Sequence, residues 1–220
     1  MHIHHRRRFP RFAAGAVVIT VLLTLTHAMT ATAQNRMPPL AEDQMTPEQL
    51  AAVEEFKAAR NTDRFGGPFM VLLRSPEMMN RARNVGDYVR FRSVLPPRLS
   101  EFVILLTARH WTQNYEWYVH APIAEREGLD AAIIEAVADG RRPAELAGDE
   151  AAVYDFCMEL LRNHEVSDPT YARMVEHLGE NGVIDAIGIL GYYQMLAMAM
   201  NTARTPLPEG VEPGLLSFPR

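Results

Sequence analysis

A chain of 220 residues, 48% hydrophobic and 22% charged, has the composition of one globular domain and not of a disordered or fibrous protein. The formal net charge is -5, and removal of a segment ending at residue 33 would take away four arginines and no acid, giving -5 - 4 = -9. An acidic chain without a basic stripe is a poor candidate for binding nucleic acid or an anionic membrane.

The first 33 residues have the organisation of a signal peptide. Arg6-Arg7-Arg8 forms a basic start, the stretch from Ala13 to Leu25 is apolar, and Ala31-Thr32-Ala33 fits an A-x-A cleavage site. The apolar run is short for a bilayer span, which favours a removable signal over a retained membrane anchor. The same arginines followed by Phe9 also fit the core of a twin-arginine signal. We therefore expect an exported protein, periplasmic or secreted, with no stable membrane insertion after cleavage.

Helix starts and chain breaks divide the rest of the sequence into seven or eight predicted helices. Residues 34–45 are polar and are interpreted as a linker, and Thr46-Pro47-Glu48-Gln49 is a helix start with Thr46 as the N-cap. The predicted helices cover 46–60, 75–92, 98–111, 115–126, 130–138, 149–163, a segment that begins at 167–169, and 181–203, with a loop at 61–68, a break at 96–97 and an extended tail at 206–220. No segment alternates with period two over a useful length, so the sequence predicts an all-α domain at 46–205.

Two of these predicted helices have apolar residues around most of their circumference. The run at 98–111 would also suit a buried strand, but its length and lack of alternation favour a buried helix. The segment from Asn181 to Ala203 carries Gly188 and Gly191 one turn apart, which permits close helix approach. Either the domain core or a subunit interface would bury the apolar surface of this helix. Because it has more apolar surface than one small helical domain easily buries, we predict a homo-oligomer.

Cys157 is the single cysteine of the chain. The protein can therefore form no internal disulfide, and it cannot perform two-cysteine redox chemistry on its own. Cys157 falls on the apolar face of a predicted helix, which favours a place in the core.

Glu101, Glu116 and His120 are the candidate catalytic residues. Glu116 and His120 are spaced i, i+4 and share one helix face, and Glu101 lies on the preceding buried helix. A carboxylate within reach of an imidazole orients it and raises its pKa, and the imidazole can then transfer a proton near neutral pH. The alternative interpretations are a surface Glu–His pair and, for Glu101, a first-turn acid beside Arg98.

Three further residues are predicted to line a substrate pocket beside His120, namely Gln113, His110 and Trp117. For His110 the alternative is a cap at the end of a buried helix. The chain has no H-E-x-x-H, no G-x-S-x-G, no phosphate loop and no nucleotide fingerprint, so the sequence predicts neither a metal nor a cofactor site.

A family resemblance runs through two stretches, Arg98-Leu-Ser-Glu101 and Tyr115-Glu-Trp-Tyr-Val-His120-Ala-Pro-Ile-Ala124-Glu-Arg-Glu-Gly128-Leu129. They resemble the carboxymuconolactone decarboxylase-like (alkylhydroperoxidase D-like) family, over about residues 65–205 and including the helix that contains Gly191-Tyr-Tyr-Gln-Met-Leu-Ala-Met-Ala-Met-Asn201. The resemblance implies an all-helical bundle that assembles as trimers or larger rings.

Two branches of that family differ in chemistry. The peroxidase branch carries a Cys-x-x-Cys pair at the positions that are Gln113 and Glu116 here, so the nucleophile of that branch is missing. The decarboxylase branch is similar to Glu116-Trp-Tyr-Val-His120, and it moves protons on an unsaturated lactone acid without a metal or an organic cofactor. The export signal, the extra N-terminal helix and Glu101 depart from the decarboxylase branch.

Three hypotheses follow. The first is a lyase-type acid–base enzyme acting on a small organic acid or lactone, with His120 as proton carrier, Glu116 tuning it and Glu101 as a second carboxylate in the same pocket. The second is a peroxide-reducing enzyme that uses Cys157 alone, which would have to be exposed and near His120. The third is a non-catalytic oligomeric binding protein, in which side chains would fill the pocket.

Overall fold

The computed structural model describes residues 34–217. Over these residues there are eight α-helices, one 3-10 turn and no strand, so the all-α prediction is confirmed. The predicted signal peptide at 1–33 lies outside the described residues. The helices are α1 (Pro47–Arg60), α2 (Pro68–Leu72), α3 (Pro76–Phe91), α4 (Pro97–His110), α5 (Asn114–Arg126), α6 (Ala131–Ala138), α7 (Gly148–Asn163) and α8 (Asp168–Ala203).

Local sequence signals account for most helix boundaries. The Thr46 hydroxyl accepts a hydrogen bond from the Gln49 backbone N–H, and the Gln49 side chain accepts one from the Thr46 N–H, which completes the predicted capping box of α1. Gly179 has a left-handed backbone (φ 67°) inside α8 and divides it into two helical segments. This kink explains why the sequence predicts two helices where one nearly continuous element is found.

Two boundaries in the first half differ from the prediction by one residue. The loop predicted at 61–68 ends at Gly67 (φ 62°), because Pro68 begins the short helix α2, which the sequence did not predict. The predicted break at 96–97 is found between α3 and α4, and Pro97 itself begins α4, since the first helical position needs no backbone donor.

The segments that flank the helices are docked on the fold. In the predicted linker, the Arg36 backbone N–H donates to the Ala203 carbonyl at 2.7 Å, next to the end of α8. In the predicted tail, the Leu215 side chain is buried, and the Asn114 side-chain oxygen accepts a hydrogen bond from the Leu215 N–H at 2.8 Å. The linker contains the 3-10 turn at Glu42–Gln44 and the tail is irregular, and both segments are hydrogen-bonded to the helical domain.

Helix α4 is the centre of the main core. Every residue from Leu99 to Arg109 is buried, because α5, α6, α7 and α8 pack around it. A second, smaller apolar cluster joins α1, α2 and α3 through Phe56, Phe69 and Met79. The candidate site lies where α4 and α5 meet α3 and α8, next to this second cluster.

Helix α8 is long and apolar enough to cross a membrane by length and composition alone, but 56% of its most apolar window is buried inside the fold. Its inner face packs on α4, α7 and α3. Its outer face leaves Ile184, Ile187 and Met198 exposed. The inner face of α8 therefore belongs to the core, and an apolar stripe stays on the surface.

Candidate functional site

His120 is a buried imidazole whose two ring nitrogens have different surroundings. Its Nδ1 lies 2.6 Å from Oε2 of Glu101, which is itself buried on α4. Because a carboxylate only accepts hydrogen bonds, the Nδ1 carries the proton and donates it to Glu101. Helix α5 supplies the imidazole and α4 supplies the carboxylate, so the close packing of these two helices fixes the ring orientation.

The second nitrogen, Nε2, meets two groups of opposite character. Oε2 of Glu116 lies 3.4 Å away, one helical turn before His120 on α5. Nη1 of Arg90, from α3, lies 3.2 Å away. The same Arg90 nitrogen donates to the Tyr193 hydroxyl of α8 at 3.1 Å, and the Tyr193 ring meets the imidazole edge to face. Four helices therefore converge on one imidazole.

A cavity of about 490 Å³ is lined by His120 and by both residues that contact its Nε2, Glu116 and Arg90. Its inner wall is formed by Arg90, Glu116, His120, Tyr192 and Tyr193. Its outer wall comes from the N-terminal part of the domain and is aromatic and basic, with Phe56, Arg60, Arg64, Phe65 and Phe69. Exposed residues at the rim, Arg64 and Phe91 among them, place the mouth of the cavity at the protein surface.

Glu116 carries an unsatisfied oxygen in this wall. The side chain is buried, and its Oε1 has no hydrogen-bond partner. A buried acceptor without a partner is costly unless a ligand or water supplies a donor. This oxygen is closed off from solvent, so Glu116 is held in the cavity wall at a cost in stability.

The electrostatics favour a charged imidazole and a neutral phenol. Burial alone would lower the pKa of His120, but the hydrogen bonds and negative charges of Glu101 and Glu116 outweigh it, so the pKa lies above its usual value. Burial raises the pKa of Tyr193 well above its usual range, so this hydroxyl stays protonated. Burial likewise opposes the charge of Arg90, but Tyr193 and Glu101 hold its pKa above the ordinary value.

The structure brings the three predicted catalytic residues together, with one difference. Glu116 and His120 line the cavity, as expected. Glu101 was expected to face the same pocket, but it lies behind the imidazole, on the side away from the cavity lining. Glu101 is therefore placed to orient and charge His120, whereas Glu116 can contact a ligand directly.

The three predicted pocket residues lie elsewhere, and this part of the prediction is corrected. Gln113 caps the start of α5 and donates its side-chain amide to Asn201 at 2.8 Å. His110 lines a separate cavity on the other side of α4. Trp117 packs on Gly214 of the tail and lines a shallow groove with α6. None of the three is among the residues that line the His120 cavity.

Sequence reasoning missed Arg90, Tyr192, Tyr193 and the aromatic and basic wall. Arg90 is one of several arginines on an amphipathic helix, and nothing local marks it. The adjacent tyrosines belong to the long apolar helix and are typical of a core. Gly66 and Gly67, within the loop predicted at 61–68, also line the cavity.

Cys157 is fully buried in the main core on α7. Burial raises the pKa of its thiol to about 12. It is not among the residues that line the His120 cavity. The two conditions that the single-cysteine peroxidase hypothesis requires, exposure and proximity to His120, are therefore not met.

Within residues 34–217, no group of three or more His, Cys, Asp or Glu side chains is arranged to hold a metal ion. Comparison of the chain with models of known protein families and with curated proteins gave no match.

Proposed function

We propose that this protein is a carboxymuconolactone decarboxylase-like enzyme of the lyase type, in which His120 transfers a proton to or from a small organic acid or lactone. The single observation that carries the proposal is the asymmetry of the imidazole. Glu101 holds Nδ1 at 2.6 Å from behind, while Nε2 faces a cavity between Glu116 and Arg90. A structural histidine needs partners, but it needs no cavity at its second nitrogen.

The proton has a defined place in each state of the site. In the charged imidazole, Nε2–H donates to Oε2 of Glu116 or to a substrate atom in the cavity. In the neutral imidazole, the Nε2 lone pair accepts from Arg90. General acid–base catalysis requires a group that cycles between such states near the working pH and lies within hydrogen-bond reach of the reacting atom.

The cavity wall favours an anionic substrate with a flat or apolar body. Arg90 faces the cavity, and in the described part of the chain no carboxylate lies within ion-pair distance of it. Arg60 stacks on the rings of Phe56 and Phe69 at 4.6 and 4.7 Å, although Asp87 pairs with it at 2.8 Å. A volume of about 490 Å³ suits a small molecule.

The chemistry that fits is loss of carbon dioxide from an unsaturated lactone acid, or the related isomerisation. When the carbon–carbon bond to the carboxylate breaks, carbon dioxide leaves and the electron pair stays on the substrate as a delocalised anion. His120 then delivers its proton to carbon and regains one from solvent. Arg90 and the neutral Tyr193 hydroxyl would stabilise this anion as fixed hydrogen-bond donors.

The alternatives have less support. The peroxidase alternative would rest on Cys157, which is buried and protonated at ordinary pH. The binding-protein alternative expects a filled pocket, whereas a cavity of about 490 Å³ lies beside His120.

The proposal extends to the whole protein in three ways. The helical domain would have the bundle fold of the carboxymuconolactone decarboxylase-like family, and the segment 1–33 would direct export. The protein would assemble as a homo-oligomer, a trimer or a multiple of it. For assembly, the outer sides of α3 and α8 carry the exposed apolar residues Val85, Phe91, Ile184 and Ile187. Phe91 also lies on the rim of the His120 cavity, so a second copy on this face would shield the mouth. Light scattering of the mature protein should give a multiple of the monomer mass, and a monomer at micromolar concentration would contradict assembly.

The experiment for the activity is a substrate panel followed by proton NMR in D₂O. Unsaturated lactone acids and β-keto acids are incubated with the full mature protein, and deuterium on the product carbon that receives the proton after carbon dioxide leaves is measured. His120→Gln should reduce turnover by about two to four orders of magnitude. The matched control is His177→Gln, since His177 is exposed and does not line the cavity. Turnover retained per folded His120→Gln molecule would overturn the proposal.

A further inference from the structure

A second cavity of about 260 Å³ lies on the other side of α4, between that helix, α6 and α7. It shares no lining residue with the His120 cavity. The proposed reaction makes no use of it, and its side chains do not contribute to the proton chemistry.

The cavity has an apolar floor. Leu106 of α4, Val137 of α6 and Met158 of α7 form it, and the first two are buried in the main core. Tyr154 also lines the cavity, and its ring stacks on Phe102 at 6.3 Å and lies 4.8 Å from the guanidinium carbon of Arg142. A floor of this kind binds the hydrocarbon part of a ligand by removing it from water.

The rim is basic, with Arg109, Arg141 and Arg162 and the imidazole of His110 among the lining residues. No Asp or Glu lines the cavity. Arg109 is buried, and its Nη1 donates to the Leu216 carbonyl at 2.8 Å, which fixes the guanidinium in place. Arg141 pairs with Asp139 at 2.9 Å, but both side chains are more than half exposed, so the pair compensates little charge.

The positive charges around the cavity also affect the pKa of His110. Burial lowers its pKa, and the positive charges of Arg162 and His164 lower it further. An apolar floor beneath several cationic groups without a lining acid is complementary to an amphipathic anion.

We propose that this second cavity is a binding site for a small amphipathic carboxylate, with the carboxylate at Arg141 and Arg162 and the hydrocarbon on the floor of Leu106, Val137 and Met158. Arginine is suited to this role because its planar fork matches a carboxylate. The volume is below the range of about 300–1,000 Å³ that drug-sized ligands need, which selects a short chain or a single ring. The site does not depend on the proposed activity.

Calorimetric titration of the full mature protein with octanoate tests the site, with 1-octanol and inorganic phosphate as comparisons. Octanoate should bind, and each comparison should bind about tenfold more weakly or worse, because one lacks the charge and the other the hydrocarbon. Equal binding of phosphate would indicate a general anion site, and equal binding of 1-octanol a merely apolar one. Either result, or no octanoate binding at about 1 mM, would overturn the proposal.

Two variants test where octanoate binds. Arg162→Gln removes one rim charge and should weaken octanoate about tenfold, and Met158→Trp should fill the floor and abolish binding. Arg126→Gln is the matched control, because Arg126 is exposed on α5 and lines neither cavity. Arg90→Gln tests whether octanoate binds in the His120 cavity instead. If it removes octanoate binding and Arg162→Gln does not, the ligand occupies the His120 cavity and the proposal fails.

Discussion

Replacing His120 by alanine should destabilise the protein strongly, although no large apolar group is lost. The substitution leaves Glu101, with 6% of its surface exposed, and Glu116, with 3%, without their shared cation. Removing one partner of a buried ion pair costs about 3–5 kcal/mol, because the remaining charge is desolvated and unpaired. In a domain of about 150–250 residues this corresponds to a fall of about 6–20 °C in the melting temperature.

The pH dependence identifies the cause of the loss. The pKa of folded His120 is raised, so its contribution is fully present below the unfolded value of about 6.5 and is lost as the pH rises through the folded value. The difference in unfolding free energy between wild type and variant should therefore be largest below about pH 6.5 and shrink as the pH rises through the folded pKa of His120.

Urea unfolding of both proteins across this pH range measures the effect, with the double variant Glu101→Gln/His120→Ala as the decisive comparison. The double variant removes one of the two buried charges that His120→Ala leaves unpaired. It should recover about 0.5–3 kcal/mol of unfolding free energy relative to His120→Ala alone. A loss below about 1 kcal/mol that is constant with pH and not rescued by Glu101→Gln would refute the buried-ion-pair argument.

Three substitutions test other parts of the site. Glu116→Gln removes a negative charge beside His120 and should lower its pKa, so the limb of the pH–rate profile that reports His120 should move to lower pH. Cys157→Ser should cost about 1–3 kcal/mol in denaturant unfolding, because it puts a hydroxyl in the core, and leave any turnover per folded molecule unchanged. Gly86→Ala would put a methyl group 2.3 Å from the Tyr192 hydroxyl and should cost about 1–3 kcal/mol and reduce turnover, measured by unfolding and by the substrate assay.

Each of these has an informative contrary result. A His120 limb that stays in place in Glu116→Gln would mean that this carboxylate does not act on the imidazole. Loss of peroxide reduction in Cys157→Ser would favour the peroxidase alternative. Gly66→Ala is the matched control for Gly86→Ala, because Gly66 lines the same cavity but an added methyl group meets nothing within 4 Å. If both glycine variants behave alike, the Tyr192 argument is wrong.

The helices and the centre of the site could be predicted from the sequence because local rules govern them. Thr46 and the prolines that begin helices act within one turn, and the i, i+4 spacing puts Glu116 beside His120. Arg90 could not be predicted, because it is 30 residues away from His120 and reaches it only through the packing of α3 against its neighbours.

The pocket prediction at His110 was wrong for a geometric reason. His110 follows Glu101 by nine residues in the sequence, and at about 100° per residue it points to the opposite side of α4. Glu101 therefore faces the α5 imidazole while His110 faces the second cavity. The prediction relied on the closeness of His110 to Glu101 along the helix, whereas the angular position of each residue around the helix axis decides which side it faces.

The arrangement around Nε2 couples substrate binding to the proton. Arg90 can donate to Nε2 only when the imidazole is neutral, and Glu116 can accept from it only when the imidazole is charged. A substrate carboxylate that pairs with Arg90 would draw its positive charge towards the cavity and away from the imidazole. The charged imidazole would then be favoured further, with Glu116 ready to accept its Nε2–H. An anionic substrate would thus prepare the acid that it needs, whereas a neutral analogue of the same shape would leave His120 in competition with Arg90.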